Sequence, residues 1–316
     1  MQLRRIAASA LAVSTVLLGA ACAGDDLASD DADAGSGGGD KGAVKISGQD
    51  FGEVQIVASM YEQLLDAEGY DASVQLVGTR DVYMGDGQFP ESVQLVPEYV
   101  GGIVDFLNTT ENGPDAEPLT TPDAEESIAA AEDLLDAKGI TLLDPSAAVD
   151  TNAFFVTKEF SEAEGVTKLS DLEGESVVVA AAEDCADRTD CGKGLTEDYG
   201  IDVTEFLPLG FASADVFKSV ADGESQLGLT STTDGTLESQ GMVLLEDDKQ
   251  IQPAQNLVPA VSTEWLADNQ DVEGILNDLM AALTTEKLTE LNGQVSVDRA
   301  KPEDVAKDFL EAEGLL

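Results

Sequence analysis

The stretch that decides the fold is QLVPEYVGG at residues 94–102. The apolar run at 93–96 predicts a short buried strand, because a proline directly after such a run stops it. The two glycines at the end of the stretch predict a tight turn. Glu98 and Tyr99 would then lie at the end of a strand, where open α/β sheets bind their ligands. The alternative is a solvated Glu98 beside a buried Tyr99 whose hydroxyl is simply paired.

Strand and helix patterns alternate on both sides of this stretch. Before it, the segment 44–46 predicts a strand, and an amphipathic pattern at 53–68 predicts a helix. After it, Asp123 and Gly139 predict the two ends of one helix over 123–138. The alternation breaks at 144–150 and resumes with Phe154. We therefore predict an α/β fold with largely parallel strands.

The composition excludes several classes of function. The chain of 316 residues has 16 basic and 63 acidic residues, a formal net charge of −47, and no histidine. Such a charge repels nucleic acid and anionic lipid heads, so we expect neither as a partner. The lack of histidine excludes His-based triads, general bases and metal ligands. Because salt screens self-repulsion, we interpret the acidity as an adaptation to high salt; the alternative is one acidic tail plus ordinary variation.

The first 21 residues have the pattern of a secretory signal, with a basic start, an apolar run at 6–18 and small residues before Cys22. The run is too short to span a membrane. Small residues that end at a cysteine resemble a bacterial lipoprotein signal, which implies a lipidated Cys22 and an extracytoplasmic protein anchored to the cell membrane. The alternative is plain secretion. Residues 22–43, rich in Asp, Gly and Ser, predict a flexible tether.

From residue 43 onward the chain contains a series of short motifs: Phe51-Gly52-Glu53, Gly78-Thr79-Arg80, Pro97-Glu98-Tyr99, Leu169-Ser170-Asp171-Leu172 and Thr232-Thr233-Asp234-Gly235. In this order and at these spacings, the chain resembles the substrate-binding proteins of ABC importers for glycine betaine, choline and related osmoprotectants. The resemblance implies a type II, two-lobed clamshell that the chain crosses twice. Lobe I would be residues 44–146 plus 250–316, and lobe II residues 150–246, closing on a ligand by a hinge motion.

The resemblance also implies a function: a receptor, not an enzyme, that delivers a small zwitterion or quaternary ammonium ion to an ABC permease. We expect no cofactor and no metal. The ligand-binding residues that the resemblance implies are Tyr99, Arg188, Glu98, Asn152, Phe51, Thr233, Asp234 and Gln255. The alternatives are a receptor of the same fold for another small amine or amino-acid-like solute, and an enzyme that uses paired carboxylates such as Glu98 and Asp234.

Two of these residues have predicted roles at opposite ends of one zwitterion. Aromatic faces attract a quaternary ammonium ion, and the arginine fork matches a carboxylate. We therefore predict that Tyr99 contacts the cationic end and that Arg188 binds the carboxylate from the other lobe. The alternative for Arg188 is a surface ion pair with one of its acidic neighbours, Asp184, Asp187 or Asp190.

The chain departs from the family pattern where two tyrosines are expected. Thr230 and Ser231 stand at one of these positions and Gln255 at the other. An aromatic cage would therefore have to be completed by other side chains, and the candidates are Phe51, Tyr83, Phe154 and Phe211.

Two cysteines, Cys185 and Cys191, bracket Arg188. In an exported protein, two close cysteines predict a disulfide, which would restrict the loop that carries the arginine. A zinc site is disfavoured because its remaining ligands would have to be carboxylates.

Overall fold

The structure is a computed structural model that describes residues 41–316. Its strands, numbered in chain order, form two five-stranded sheets. The first sheet has the order β2-β1-β3-β10-β4 and the second the order β7-β6-β8-β5-β9. The strands are β1 Ala43–Ile46, β2 Asp71–Val74, β3 Leu95–Tyr99, β4 Ile140–Leu142, β5 Asn152–Thr157, β6 Ser176–Ala181, β7 Asp202–Pro208, β8 Leu227–Ser231, β9 Met242–Leu245 and β10 Leu257–Ser262.

Each sheet contains one strand that runs against the others. In the first sheet β10 is antiparallel to β3 and β4, and in the second β5 is antiparallel to β8 and β9. The neighbouring pairs β1–β2, β1–β3, β6–β7 and β6–β8 are parallel. Both antiparallel strands directly follow a passage of the chain from one sheet to the other. The predicted fold class, a largely parallel α/β protein with two crossings, is confirmed.

The helices of the described chain flank both sheets. They are α1 Gly52–Ala67, α2 Arg80–Tyr83, α3 Val100–Asn112, α4 Ala124–Ala130, α5 Glu132–Lys138, α6 Lys158–Glu164, α7 Ala214–Ala221, α8 Thr263–Asp268, α9 Asp271–Ala282, α10 Thr285–Ser296 and α11 Pro302–Glu313. The helix predicted over 123–138 is therefore two helices, α4 and α5, although Asp123 caps the first and Gly139 ends the second as expected. Within residues 41–316, no helix combines the length and apolar character that crossing a bilayer requires.

Each sheet has its own hydrophobic core on both faces. In the first sheet, Val44 and Leu257 pack against α1 and α9–α11, while Val96 and Val258 pack on the opposite face against α3 and α5. In the second, Phe154 belongs to one face, and Phe155 stacks on Phe217 of α7 on the other. Each half of the molecule thus buries apolar side chains independently.

Two crossing segments, residues 143–151 and 246–256, connect the sheets and lie side by side. Val149 and Asn256 form an isolated antiparallel bridge, and the Asp150 N–H donates to the Gln255 carbonyl at 3.0 Å. Rotation of one half against the other would therefore have to bend these two adjacent segments.

The strand at the opening stretch is longer than the sequence predicts, because Pro97 lies inside β3 and does not end it. Pro97 faces Pro259 of β10. The Pro259 carbonyl accepts from Leu143 on the far side of β10, so the two prolines form a pair that exchanges no hydrogen bonds. The pairing of β3 with β10 therefore loses no hydrogen bond to either proline.

The two glycines after β3 begin helix α3, and the predicted turn is wrong. A Cβ atom at Gly101 would lie 2.7 Å from the Ala254 carbonyl oxygen, which belongs to a crossing segment. The Gly101 N–H donates to that same carbonyl at 2.8 Å. Glycine is needed here because the helix approaches the crossing segment closely.

Candidate functional site

Glu53 is a buried carboxylate in the first turn of α1, with 4% of its surface exposed. The positive end of the helix favours an acidic side chain at this position. The Tyr99 hydroxyl donates to Glu53 Oε1 at 2.5 Å, and Asn292 Nδ2 donates to Oε2 at 2.5 Å. Three distant parts of the first half, α1, β3 and α10, therefore meet at one carboxyl group.

Burial dominates the ionisation of Glu53. Removal from water and, second, the nearby Asp150 carboxylate raise the pKa of Glu53, while hydrogen bonds from Tyr99, Asn292 and Thr233 oppose the rise. The net result is a pKa of about 7. The same environment raises the pKa of the Tyr99 phenol well above its ordinary value, through burial first and Glu53 second. Near neutral pH the Glu53 carboxyl group is therefore partly protonated.

Asp150 lies on the first crossing segment, beside Glu53. Burial raises the pKa of Asp150, the Thr233 and Ser231 hydroxyls lower it, and Asp234 raises it. Two acidic groups thus share one poorly hydrated region between the two halves of the molecule.

A cavity of about 340 Å³ opens between the two halves at this point. One wall comes from the start of α1 and from α10, the other from α7 and the loops that follow β7 and β8, and Asp150 lies on the crossing segment between them. We call this space the interlobe cavity. Its lining consists of Phe51, Gly52, Glu53, Asp150, Phe211, Ala212, Phe217, Ser231, Thr233, Asp234, Gly235, Thr236, Asn292, Val295 and Ser296.

Three of the predicted ligand-binding residues line the interlobe cavity: Phe51, Thr233 and Asp234. Tyr99 lies directly behind them, because its ring stacks on Phe51 with centroids 6.4 Å apart and an interplanar angle of 20°. Only 6% of the Tyr99 surface is exposed, and its hydroxyl is held by Glu53. That Tyr99 contacts a ligand stays a prediction.

Two aromatic rings are exposed at the cavity, Phe51 at 38% and Phe211 at 48% of their surfaces. Of the four rings considered as substitutes for the missing tyrosines, these two face the open space, whereas Tyr83 and Phe154 are core residues. Ser231, which stands where a tyrosine is expected, lines the cavity with a small side chain.

Glu98 is engaged by its own neighbours. Arg80 donates to both carboxylate oxygens at 2.9 Å, the Tyr83 hydroxyl donates to Oε1, and the Tyr99 N–H donates to Oε2 at 3.1 Å. The side chain is 1% exposed and is absent from the lining of the interlobe cavity. The surroundings of Glu98 are therefore those of a buried structural ion pair.

Arg188 also meets a carboxylate of this chain. Its Nε and Nη2 atoms donate to the two oxygens of Asp190, and Asp184 lies 3.7 Å from Nη1. Asn152 donates to the same Asp190 carboxylate at 2.8 Å. The ion pair considered as the alternative is thus present, and a ligand carboxylate would have to displace Asp190 to reach the arginine fork. The ligand role of Arg188 stays a prediction.

The last predicted residue, Gln255, supports the start of α3: its Oε1 atom accepts from the Gly102 N–H at 3.0 Å. Asp234 accepts from the Thr230 hydroxyl and from the Thr236 N–H, so it shapes the loop after β8. Glu98 and Asp234, considered as a catalytic pair, are therefore each engaged in separate local networks.

Sequence reasoning missed Glu53, Asp150 and Asn292 as members of the site. Glu53 enters the sequence analysis only as part of the motif Phe51-Gly52-Glu53, and Asp150 only as part of a break in the pattern. In a chain with 63 acidic residues, a single carboxylate carries no signal that separates it from the solvated ones. Only the meeting of three distant segments identifies these side chains.

The two halves touch beside the cavity, where the loop after β8 meets α10. Asn292 Nδ2 donates to the Thr233 carbonyl at 3.0 Å. A Cβ atom at Gly235 would lie 2.3 Å from the Gly293 backbone nitrogen and 2.5 Å from the Thr289 carbonyl oxygen. Backbone therefore lies directly on backbone at this contact.

The predicted disulfide between Cys185 and Cys191 is confirmed, with Cα atoms 5.2 Å apart. It closes the loop that holds Arg188 and Asp190. Cys22, the predicted lipidation site, lies outside the described residues. Within residues 41–316, no group of three or more acidic or cysteine side chains is arranged to hold a metal ion.

Comparisons with known proteins agree on one family. Residues 42–312 match the family described as "Substrate binding domain of ABC-type glycine betaine transport system". The chain is 27% identical to a glycine-betaine-binding protein of Pseudomonas aeruginosa over 86% of its length and 88% of that protein. It is 24% identical to a carnitine transport binding protein of Listeria monocytogenes, covering 88% of this chain and 89% of that one.

A solved structure described as a glycine betaine/carnitine/choline ABC transporter has a similar fold. The TM-score is 0.74 at 20% identity, with 86% of this chain and 98% of that chain covered. At this identity the likeness concerns the fold alone.

Proposed function

The chain belongs to the family of substrate-binding domains of ABC-type glycine betaine transport systems, and from this premise we propose what it binds and where. Members of this family are extracytoplasmic transport proteins, and this chain is a substrate-binding protein of that kind. It captures a small osmoprotectant, a quaternary ammonium ion or a zwitterion, in the interlobe cavity and delivers it to the permease of an ABC importer.

The interlobe cavity is the observation that carries this proposal. Its volume of about 340 Å³ falls within the range of small-molecule sites, and both halves of the protein contribute to its walls. Phe51 comes from the first half and Phe211 from the second. Aromatic faces attract a quaternary ammonium ion, at about 0.5–2 kcal/mol for each ring.

The two halves act as lobes in this proposal. Lobe I comprises residues 44–146 plus 250–316, lobe II residues 150–246, and a hinge motion in the crossing segments closes them on the ligand. Ligand contacts made by both lobes favour the closed arrangement, because a ligand shifts an equilibrium toward the state that it binds better.

Thermal unfolding of the purified protein with glycine betaine, choline and carnitine tests the proposal. A ligand that binds only the folded state raises the melting temperature in proportion to the logarithm of its concentration. Phe51→Ala and Phe211→Ala should each weaken the best ligand by about 2- to 30-fold, the loss of one cation–π contact. Val297→Ala is the control, because Val297 is an exposed apolar residue outside the cavity lining. If no osmolyte stabilises the protein, the proposal is wrong.

We also propose that acyl chains on Cys22 tether the protein to the cell membrane through residues 22–43. Cys22→Ala should give a folded protein that appears in the medium or the soluble fraction, measured by fractionation and immunoblotting. Ser14→Ala, within the same signal segment, should leave the protein in the membrane fraction. Retention of the Cys22→Ala protein in that fraction would mean that the anchor lies elsewhere.

A further inference from the structure

Two oxygen atoms in the lining of the interlobe cavity make no hydrogen bond within residues 41–316: Asp150 Oδ1 and Asn292 Oδ1. Both atoms are shielded from solvent. The Thr233 and Ser231 hydroxyls lie near the Asp150 carboxylate but do not bond this oxygen. A buried acceptor without a donor destabilises the folded protein, and more so if it is charged. A ligand in the adjoining cavity that supplies N–H or O–H groups would remove this destabilisation.

Asn292 is held so that its free oxygen stays available. Its Nδ2 group donates to Glu53 Oε2 at 2.5 Å and to the Thr233 carbonyl at 3.0 Å. Turning the amide over would place its oxygen against two acceptors, so the neighbours fix the orientation. Asn292 Oδ1 therefore remains an acceptor whatever enters the cavity.

The charges around the cavity are of one sign. Its lining contains three carboxyl groups, from Glu53, Asp150 and Asp234, and neither lysine nor arginine. Asp234 is held by Thr230 and Thr236, whereas Asp150 keeps one oxygen without a partner. In a poorly hydrated space, such a lining attracts a cation and repels a carboxylate.

The unpartnered acceptors and the acidic lining favour some osmoprotectants over others, according to their charge and their hydrogen-bond donors. Glycine betaine has no N–H or O–H group, so it leaves both acceptors unpartnered, and its carboxylate meets a lining without a cation. Choline has a positive charge and one hydroxyl donor. A protonated amino alcohol has the charge and several donors.

Building on the proposed function, we propose that the preferred ligand is a small organic cation with N–H or O–H donors, and that Asp150 and Asn292 accept hydrogen bonds from it. Glu53 is a positioning residue that orients Asn292. The cavity discriminates against zwitterions that carry a carboxylate and no donor.

The proposal carries a pH dependence with a defined sign. Glu53 is faced by Asp150 from the crossing segment and by the Thr233 hydroxyl from the second half. Asp150 is in turn faced by Asp234 and by the Thr233 and Ser231 hydroxyls. Tyr99 of β3 and Asn292 of α10 donate to Glu53. Because burial and Asp150 raise the pKa of Glu53 to about 7, its carboxyl group is partly protonated near neutral pH. An arriving cation favours release of that proton, so affinity should rise about tenfold between pH 6 and pH 8.

Isothermal titration of the whole purified protein tests the proposal with four probes at fixed ionic strength: ethanolamine, choline, tetramethylammonium and glycine betaine. Ethanolamine and choline should bind at least about tenfold more tightly than tetramethylammonium and glycine betaine, since a hydrogen bond to a charged acceptor is worth about that factor. Their affinities should increase from pH 6 to pH 8. Asp150→Asn should weaken ethanolamine and choline at least about tenfold and leave glycine betaine unweakened.

Glu62→Gln is the matched control. Glu62 is a half-buried glutamate on the same helix as Glu53, and burial raises its pKa as well. It does not line the cavity. The variant should leave all four affinities unchanged. Glycine betaine binding as tightly as choline and ethanolamine, or affinities for the cations that fall with rising pH, would overturn the inference while the proposed function stands. Failure of all four probes and of carnitine to bind would overturn the proposed function itself, and the inference with it. The comparison among probes uses the unaltered protein, so misfolding of a variant cannot decide the result.

Discussion

At the scale of single residues, Glu53 couples the stability of the protein to pH. Its carboxyl group is protonated up to a pKa of about 7 in the folded state, whereas an unfolded chain releases the proton near the ordinary value of 4.5. As pH rises between these values, the unfolded state loses its proton first and becomes relatively more stable. The free energy of unfolding should therefore fall across this window, by on the order of 3 kcal/mol, and level off above it.

Glu53→Gln removes this ionisation. Relative to the unaltered protein, the variant should become more stable as pH rises from about 4.5 to 8, with the difference growing toward the size of that fall. Urea unfolding across this pH range, at fixed salt and without ligand, measures the difference. Asp150 still titrates in the variant, so some pH dependence remains. A difference that stays constant with pH would contradict the burial of the charge.

For Glu98 we expect that removing the charge lowers the stability of the folded protein, whereas the same change at Glu53 raises it at high pH. Glu98→Gln leaves the Arg80 guanidinium partly buried without its carboxylate. Breaking a buried ion pair at one partner costs about 3–5 kcal/mol, and we expect a loss at the lower end because Arg80 retains some exposure. Chemical denaturation at neutral pH measures the loss. Asp222→Asn, which breaks the surface pair with Lys218, should change stability far less.

The residues of the site show what sequence reasoning reaches and where it stops. Phe51, Thr233 and Asp234 were identified because they belong to short motifs, and they do line the cavity. Glu53, Asp150 and Asn292 were not, because their significance depends on burial and on contacts between segments that are distant in sequence. For the ion pairs of Glu98 and Arg188, a local pattern could not say which carboxylate meets which guanidinium.

At the scale of elements, the contact between α10 and the loop after β8 depends on the absence of a side chain at Gly235. An added Cβ atom would meet backbone atoms of Gly293 and Thr289, which cannot move aside as a flexible side chain would. Gly235→Ala should therefore push the two halves apart and weaken ligand binding. We expect roughly tenfold or more, a factor that corresponds to 1.4 kcal/mol.

Titration of the best ligand into Gly235→Ala, with small-angle X-ray scattering of the same sample, measures both effects. The matched control is Gly274→Ala in α9, where an added Cβ atom meets nothing within 4 Å. That variant should bind normally and gain slight helix stability. Unchanged affinity and dimensions in Gly235→Ala would show that the loop adjusts without separating the halves.

The elements themselves were largely predictable, because alternation of apolar and polar residues reports which face of a strand or helix is buried. The errors occurred where one segment approaches another. Pro97 is tolerated inside β3 because it occupies a position that exchanges no hydrogen bond with β10, and Gly101 of α3 is required by a neighbouring carbonyl. Neither partner is near in sequence, so local patterns misplaced the end of the strand and the start of the helix.

At the scale of the whole molecule, the net charge of −47 sets the response to salt. Salt shortens the range of electrostatic repulsion, from about 10 Å at 0.1 M to about 3 Å at 1 M. The melting temperature should therefore rise from low to molar salt, as self-repulsion in the folded state is screened. Calorimetry in NaCl and in KCl should give the same rise at equal ionic strength. A flat response would contradict the interpretation of the acidity as an adaptation to salt.

The position of Asp150 on a crossing segment has a consequence for the order of events during capture. In any rotation about the paired segments, an atom moves by an amount proportional to its distance from the axis, so the pivot is almost stationary. A solute that first binds to Asp150 would keep that contact in both the open and the closed arrangement of the two lobes. Phe211 belongs to the second half and lies off the axis. It would therefore move onto the bound solute only when the lobes close. Because Asp150 lies at the pivot itself, the solute can bind to it before the lobes close.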